Sequence, residues 1–306
     1  MVCSHLFGSL ERTNIIDEDL LLFQIKPLII SIWCGESKPS RIVYHNHTNG
    51  CQKCTIDGLY KKNRMCFPHT DCPLRTDQSF RERHEPSHHR EYSILEKLPV
   101  DMIKDFVTSD ALHLLELGVM RRLLNIWKNG STHFDEKWTK SDILKLNDLL
   151  ERCNSDLPEE IHRRMRSIDR LNYWKGTEYR TMLLYTGIVL LKDLLSAEIY
   201  SHFLMLFSAV TICSTKAHQR FLMLAEVLFR DYIELTIEYY GIENVVSNIH
   251  NLCHIVDDVR RFGDLTTLTT YPFENMLRLI KLKLKSCNKV LQQASRRITE
   301  SSSLRL

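Results

Sequence analysis

Cys51 and Cys54, in the run Gly50-Cys51-Gln52-Lys53-Cys54, are the residues whose type and spacing point most directly to chemistry. Two thiolates separated by two residues can face one zinc ion without strain, and two further Cys or His ligands close the tetrahedron. The stretch that follows holds Cys66, His69, Cys72, His84, His88 and His89. From Thr55 to Pro86 it is polar, basic and short of apolar periodicity, so a bound metal would explain how it keeps a shape. His88 and His89 are the expected partners of the thiol pair, with Cys66 or Cys72 as the second choice. Neighbouring histidines can both reach one ion only across an extended backbone, so one of them is an easier demand than both. Farther along, His250 and His254 stand four apart, ahead of Asp257 and Asp258; that could be a metal-binding face, but it fixes no third ligand. Asp110 and His113, one helical turn apart, could bind metal or orient a site, or serve as a helix cap beside a satisfied histidine.

The elements around these residues follow from periodicity. Leu28 to Cys34 and Arg41 to Tyr44 read as short β-like runs, separated by the breaker cluster Gly35-Glu36-Ser37-Lys38-Pro39. From Pro99 the pattern is helical. Leu112, Leu115, Val119, Leu123 and Ile126 form one stripe at spacings of three and four. Further helices are expected from Ser141 to about Arg152, from Thr177 through Leu191, over 198–213, over 216–240 up to Gly241, and over 242–261 up to Gly263. The 198–213 segment is apolar nearly all round and reads as a central helix, with Leu204, Phe207 and Val210 in the core. Pro272 suits the first turn of a basic terminal helix. The expected fold is mainly α. Residues 1–50 carry the β structure, 51–98 the Cys/His segment, and 99–306 a bundle of at least six helices.

Composition bounds the function. A chain of 306 residues with 43% hydrophobic and 26% charged residues can bury a core and is not disordered as a whole. The net charge of +3 says little, but its distribution says more. Met276 to Leu306 hold eight Lys or Arg against the single acid Glu300, a balance of +7 that suits phosphate backbones. Cys153, Cys213, Cys253 and Cys287 lie singly in apolar helical stretches, as free thiols of a reducing compartment do. No signal-peptide pattern opens the chain, and the longest apolar run, Ile199 to Cys213, is too short to span a bilayer. A soluble, intracellular protein is expected, with no membrane partner.

Several strings in order resemble one family. They are Gly35-Glu36-Ser37-Lys38-Pro39, Cys51-Gln52-Lys53-Cys54-Thr55, Arg75-Thr76-Asp77, Ser109 to Leu114 with Leu117-Gly118-Val119-Met120, Trp174 to Arg180, Leu184-Tyr185-Thr186-Gly187, Asp257 to Gly263, and Tyr271-Pro272-Phe273-Glu274-Asn275. Over roughly residues 14–297 the chain is similar to the transposases of CACTA-like DNA elements and the proteins derived from them. The resemblance implies an RNase H-like core in which three carboxylates hold two Mg²⁺ or Mn²⁺ ions for strand cleavage and joining. It places the first carboxylate at Asp17 and the third at Glu178, with Glu274 as rival. The segment expected to carry the second is missing, because Ser37-Lys38-Pro39-Ser40-Arg41 runs almost directly into Tyr44-His45-Asn46. Losing one carboxylate and its strand removes a metal ligand and the register of the others.

The reading is therefore a transposase-derived nuclear protein, domesticated or decayed, that has lost cleavage. It is expected to bind DNA through a structural zinc segment and through Lys281, Lys283, Lys285, Arg296 and Arg297. The alternatives are a helical oligomerisation module with no nucleic-acid role, or an active Mg- or Mn-dependent transposase whose missing Asp is supplied elsewhere.

Overall fold

The computed structural model describes residues 41–161, 163–286 and 288–303, and it is mainly helical. Its described residues divide into two units, one running up to Thr269 and the other from Thr270 onward. The β-like run at 28–34, Asp17 and nearly all of the expected RNase H-like remnant lie outside the described residues.

In the larger unit the chain enters through turns at Tyr44–His47 and His47–Gly50, closed by His47 N–H to Tyr44 O and Gly50 N–H to His47 O, both 2.9 Å. A side chain at Gly50 would sit 2.6 Å from the Tyr44 carbonyl, so only glycine lets the chain fold this tightly into Cys51. The strands are not confined to the first fifty residues. β1 (Leu59–Lys61) and β2 (Arg64–Cys66) form an antiparallel hairpin with Tyr60 opposite Met65. Its two turn residues, Lys62 and Asn63, both have positive φ (48° and 61°), the left-handed pair that a two-residue hairpin needs. Lysine is an unusual choice there, which hides the turn from sequence. Isolated bridges, Ile42 to His89 and Cys54 to Leu74, add the only other pairing in this segment among the described residues. A short helix, α1 (Asp77–Arg81), is capped by Thr76, whose hydroxyl accepts from Ser79 N–H.

The helices follow the expected periods, with local breaks. α2 (Ala111–Met120) is wound wide, as a π-type helix, and runs directly into α3 (Arg121–Asn129). The whole stripe of Leu112, Leu115, Val119, Leu123 and Ile126 is buried. α4 (Lys140–Asp156) starts at a Thr139/Asp142 capping box. α5 (Gly176–Thr181), α6 (Met182–Thr186) and α7 (Gly187–Leu190) form one continuous run.

α8 (Ala197–Cys213) and α9 (Leu222–Tyr240) make the main helix–helix packing, and the chain bends by 119° between them. The core face of α8 is Ile199, Phe203, Leu206, Val210 and Cys213, which repeat every three or four residues. Val210 is buried as expected, but Leu204 and Phe207 are only half-buried. On an almost wholly apolar helix the sequence does not mark the inner face. His202, buried on this helix, stacks on Tyr232 at 4.1 Å and donates from Nε2 to the Tyr232 carbonyl at 2.9 Å. Gly241 ends α9 at φ 86°, pressed against the His133 ring where a Cβ would not fit.

The expected helix over 242–261 is broken. It passes through a turn at Ile242–Asn244, α10 (Ser247–His250), a tight turn at Asn251–His254, and α11 (Ile255–Phe262) before Gly263 at φ 104°. The second unit contributes α12 (Tyr271–Lys283) and α13 (Val290–Ser303), so the expected single basic helix is two. Among the described residues no single helix is long and apolar enough to cross a membrane.

Candidate metal centre

The knuckle Cys51–Cys54 is held from three sides. Arg75 N–H donates to Lys53 O (2.8 Å), Thr55 N–H donates to Pro73 O (2.9 Å), and the Arg75 guanidinium donates to Cys51 O (3.3 Å). Beneath it Ile56 and Phe67 pack against both cysteines. Phe67 N–H reaches Val245 O at 2.7 Å, which brings the chain just before α10 up to the knuckle. As a result, the side chains that meet the thiols are His250 and His254.

Cys51 Sγ lies 3.5 Å from Cys54 Sγ and 3.5 Å from His254 Nε2, and Cys54 Sγ lies 3.3 Å from His250 Nε2. All four donor atoms fall within 4.8 Å of one another. A tetrahedron with metal–sulfur bonds near 2.3 Å and metal–nitrogen bonds near 2.0 Å has edges of about 3.3–3.8 Å. The four side chains therefore fit a single ion with little movement and form a buried group that could hold a metal. Their relative exposures are 3%, 1%, 1% and 4%, so no open position faces solvent.

The electrostatics suit the same use. Burial works to raise the Cys51 thiol, but the hydrogen bond from Cys54 and the charge on His254 bring it well below the ordinary thiol range. Cys54, which donates to Cys51 and is itself buried, is pushed up. Burial would depress His254, yet the adjoining Cys253 and Cys51 sulfurs carry it up to about 10. Cys51 and His254 thus each favour the other's charged form, in a group that still carries protons on its sulfurs and rings. A metal ion would replace those protons, taking both sulfurs as thiolates and both rings as neutral imidazoles.

A second tier ties the two halves together. Lys53, between the cysteines, sends Nζ to Asp258 Oδ1 (2.8 Å) and to Ile103 O (3.0 Å). Asp258, one turn past His254, also accepts from Thr108 N–H (2.9 Å), Ser109 N–H (3.2 Å) and Ser109 Oγ (2.8 Å). Both charges are buried, and each is paired.

The other expected site residues are placed as follows. His88 and His89, expected to close the metal site, are not in the group. They pack edge-on around Phe80, with His88 Nδ1–H donating to Asn49 O at 2.7 Å. The register of the Ile42–His89 bridge sets them there. Cys66 is buried in β2 and Cys72 lies partly buried beside the cluster, neither as a ligand. Asp110 caps α2 through Leu112 and His113 N–H and is hydrogen-bonded to the His113 ring.

Glu178 is fully buried. Its carboxylate accepts from Arg166 N–H (3.1 Å), Arg166 Nε (2.9 Å) and Lys175 N–H (2.8 Å), closing the first turn of α5. Despite the opposing effect of burial, these bonds hold it below the usual carboxylate range. Lys281, Lys283 and Lys285 are exposed in the second unit, and Arg296 and Arg297 both pair with Glu300 at 2.9 and 3.3 Å.

His250 and His254 carried a signal in sequence: a CxxC pair and an HxxxH pair are two complementary half-sites. The 195 residues between Cys54 and His250 conceal their partnership.

Two buried histidines make stability acid-sensitive. Burial, helped by the Arg75 charge, holds His88 down to about 3. Burial also holds His202 at about 4, against the upward pull of its bond to Tyr232 O. Both rings are neutral when folded and take a proton near 6.5 when unfolded, so their stabilisation is complete above that pH and is lost as pH falls through about 6 toward 4. Each should add a slope of about 1.4 kcal/mol per pH unit in that window. Urea midpoints followed from pH 7 to 4.5 should fall less steeply for His202→Gln than for the parent protein; parallel curves would refute the assignment.

The fold and group together define a mainly helical protein with a buried two-Cys, two-His cluster. No family model, curated protein or solved structure matches this chain.

Proposed function

We propose that this chain is a transposase-derived DNA-binding protein without strand-cleaving activity, its fold closed by a structural zinc ion at Cys51, Cys54, His250 and His254. The observation that carries the structural role is the burial of all four donors with no open coordination position, the mark of a closed rather than a catalytic zinc site. Thiolate and imidazole donors in a tetrahedral setting favour zinc over the oxygen-seeking Mg²⁺.

The loss of cleavage is supported by Glu178. With its carboxylate committed to Arg166 and the α5 N-terminus, it has no face left for a divalent ion. DNA binding is supported by the exposed Lys281, Lys283 and Lys285.

The test combines two assays on the zinc-loaded protein. Oligonucleotide binding should fall steeply with salt, by a log–log slope of about 0.9 per phosphate contact on duplex DNA. Charge reversal at Lys281, Lys283 and Lys285 should weaken binding and flatten that slope. Mg²⁺ or Mn²⁺ should produce neither nicking nor joining. Metal-dependent cleavage abolished by Glu178→Gln would overturn the reading.

A further inference from the structure

The hairpin β1–β2 and the junction of α2 with α3 line an open groove of about 520 Å³. Lys62, Arg64, Arg121 and Arg122 line it, with Glu243 as its one acid. That acid is already neutralised. Lys62 Nζ and His133 Nδ1 both lie 2.8 Å from Glu243 Oε1. Against the effect of burial, the bonds from Lys62, its own backbone and His133 hold Glu243 down to about 2.

The three arginines are different. Arg64 and Arg122 both donate to a single neutral acceptor, Asn244 Oδ1, at 3.3 and 3.4 Å. Among the described residues no carboxylate forms an ion pair with Arg64, Arg121 or Arg122. Two guanidinium groups gathered on one amide oxygen repel each other, and Arg122 is depressed by burial and then by the Arg64 charge. Such an arrangement leaves a cluster of positive charge open to an anion.

The groove is built rather than incidental. Asn244 is buried, and its Nδ2 donates to Tyr240 O at 2.5 Å, which aims Oδ1 at the arginines. On the floor, Gly118 lets α2 approach Asn248 so closely that a Cβ would lie 2.5 Å from its Nδ2. Arg64, Arg122 and Asn248 also line a second groove of about 1030 Å³, so the two share a wall. Tyr60, 70% exposed, lines that second groove. Positive charge tracking a channel beside an exposed aromatic ring is the pattern of a nucleic-acid strand site, where guanidinium groups hold phosphates and rings stack on bases.

We infer that the Arg64–Arg121–Arg122 groove binds the phosphodiester backbone of a nucleic-acid strand. The inference deepens the DNA-binding reading above and rests on it, by naming where phosphate is held.

The experiment uses the full-length, zinc-loaded protein and fluorescence anisotropy with a labelled oligonucleotide across a salt series. Arg64→Gln with Arg121→Gln should weaken binding by about tenfold or more and lower the salt slope by about 1.4–1.8. Arg64→Lys with Arg121→Lys, which keeps the charge, should recover most of that loss. Unchanged zinc content and circular dichroism would show that the variants fold.

Affinity unaffected by the glutamine pair but lost on reversing Lys281, Lys283 and Lys285 would overturn the groove and leave DNA binding standing. No binding of any oligonucleotide by the parent protein would overturn both. Displacement of the oligonucleotide by inorganic pyrophosphate at matched phosphate concentration would mark a small-anion site and overturn the strand assignment.

Discussion

Cys51→Ser with Cys54→Ser should abolish zinc binding and unfold the segment between Gly50 and α1, and chelation of the parent protein should do the same. Structural zinc contributes an apparent 10–16 kcal/mol in small domains at neutral pH, most of it expressed as folding. Here the ion would join a knuckle to a helix pair some two hundred residues later, so its loss releases a long-range clamp as well as a loop. Elemental analysis should find one zinc per chain in the parent protein and none in the double variant. His250→Ala and His254→Ala should each lose it too, whereas His88→Ala with His89→Ala should retain it. Retention in the His250 and His254 variants, with loss in the His88 and His89 variant, would return the ligand assignment to the neighbouring histidines.

The second large effect is expected at Asp258. Asp258→Ala removes the carboxylate paired with Lys53 and leaves a buried ammonium, two backbone N–H groups and the Ser109 hydroxyl without their shared acceptor. Breaking one partner of a buried ion pair costs about 3–5 kcal/mol, to which the orphaned donors add. Urea denaturation at fixed zinc concentration should therefore show the midpoint of Asp258→Ala collapsing. Lys53→Met should cost less, because the Asp258 carboxylate it leaves buried keeps its hydroxyl and amide donors. The double variant should recover part of the loss, with a coupling energy well above 1 kcal/mol. Additive single effects would mean that the Lys53–Asp258 pair does not hold the knuckle to α11.

Such results would bear on what holds the Cys51–Phe67 region in place. The hairpin β1–β2 is only three residues on each side, with Leu59, Tyr60 and Arg64 exposed. A lone hairpin of that size is marginal in water. The Cys51–Phe67 region acquires its core from four small contributions, Cys51, Cys54, Ile56 and Phe67, and closes it on His250. Polar, basic sequence can be ordered here because Lys53–Asp258 clamps the knuckle ionically and the four donors converge where a metal ion could bind.

How much of this was legible beforehand depends on whether the determining interaction is local. The α2–α3 stripe, the start of α4 to within a residue of Ser141, the Gly241 and Gly263 stops and the CxxC half-site all rest on residues within one or two turns of each other, and the sequence by itself determined them. The face that α8 buries, the Lys62-Asn63 turn and the break of 242–261 into four pieces were decided by packing, because composition there is uniform or locally unfavourable. The partners of Cys51 and Cys54 were decided the same way. His88 and His89 are near in the chain, but strand register turns them onto Phe80. His250 and His254 are remote, but Phe67 and Val245 carry their helix to the thiols. Only the tertiary structure could choose between them, since a metal site is completed by proximity in space and sequence spacing constrains each half of it alone.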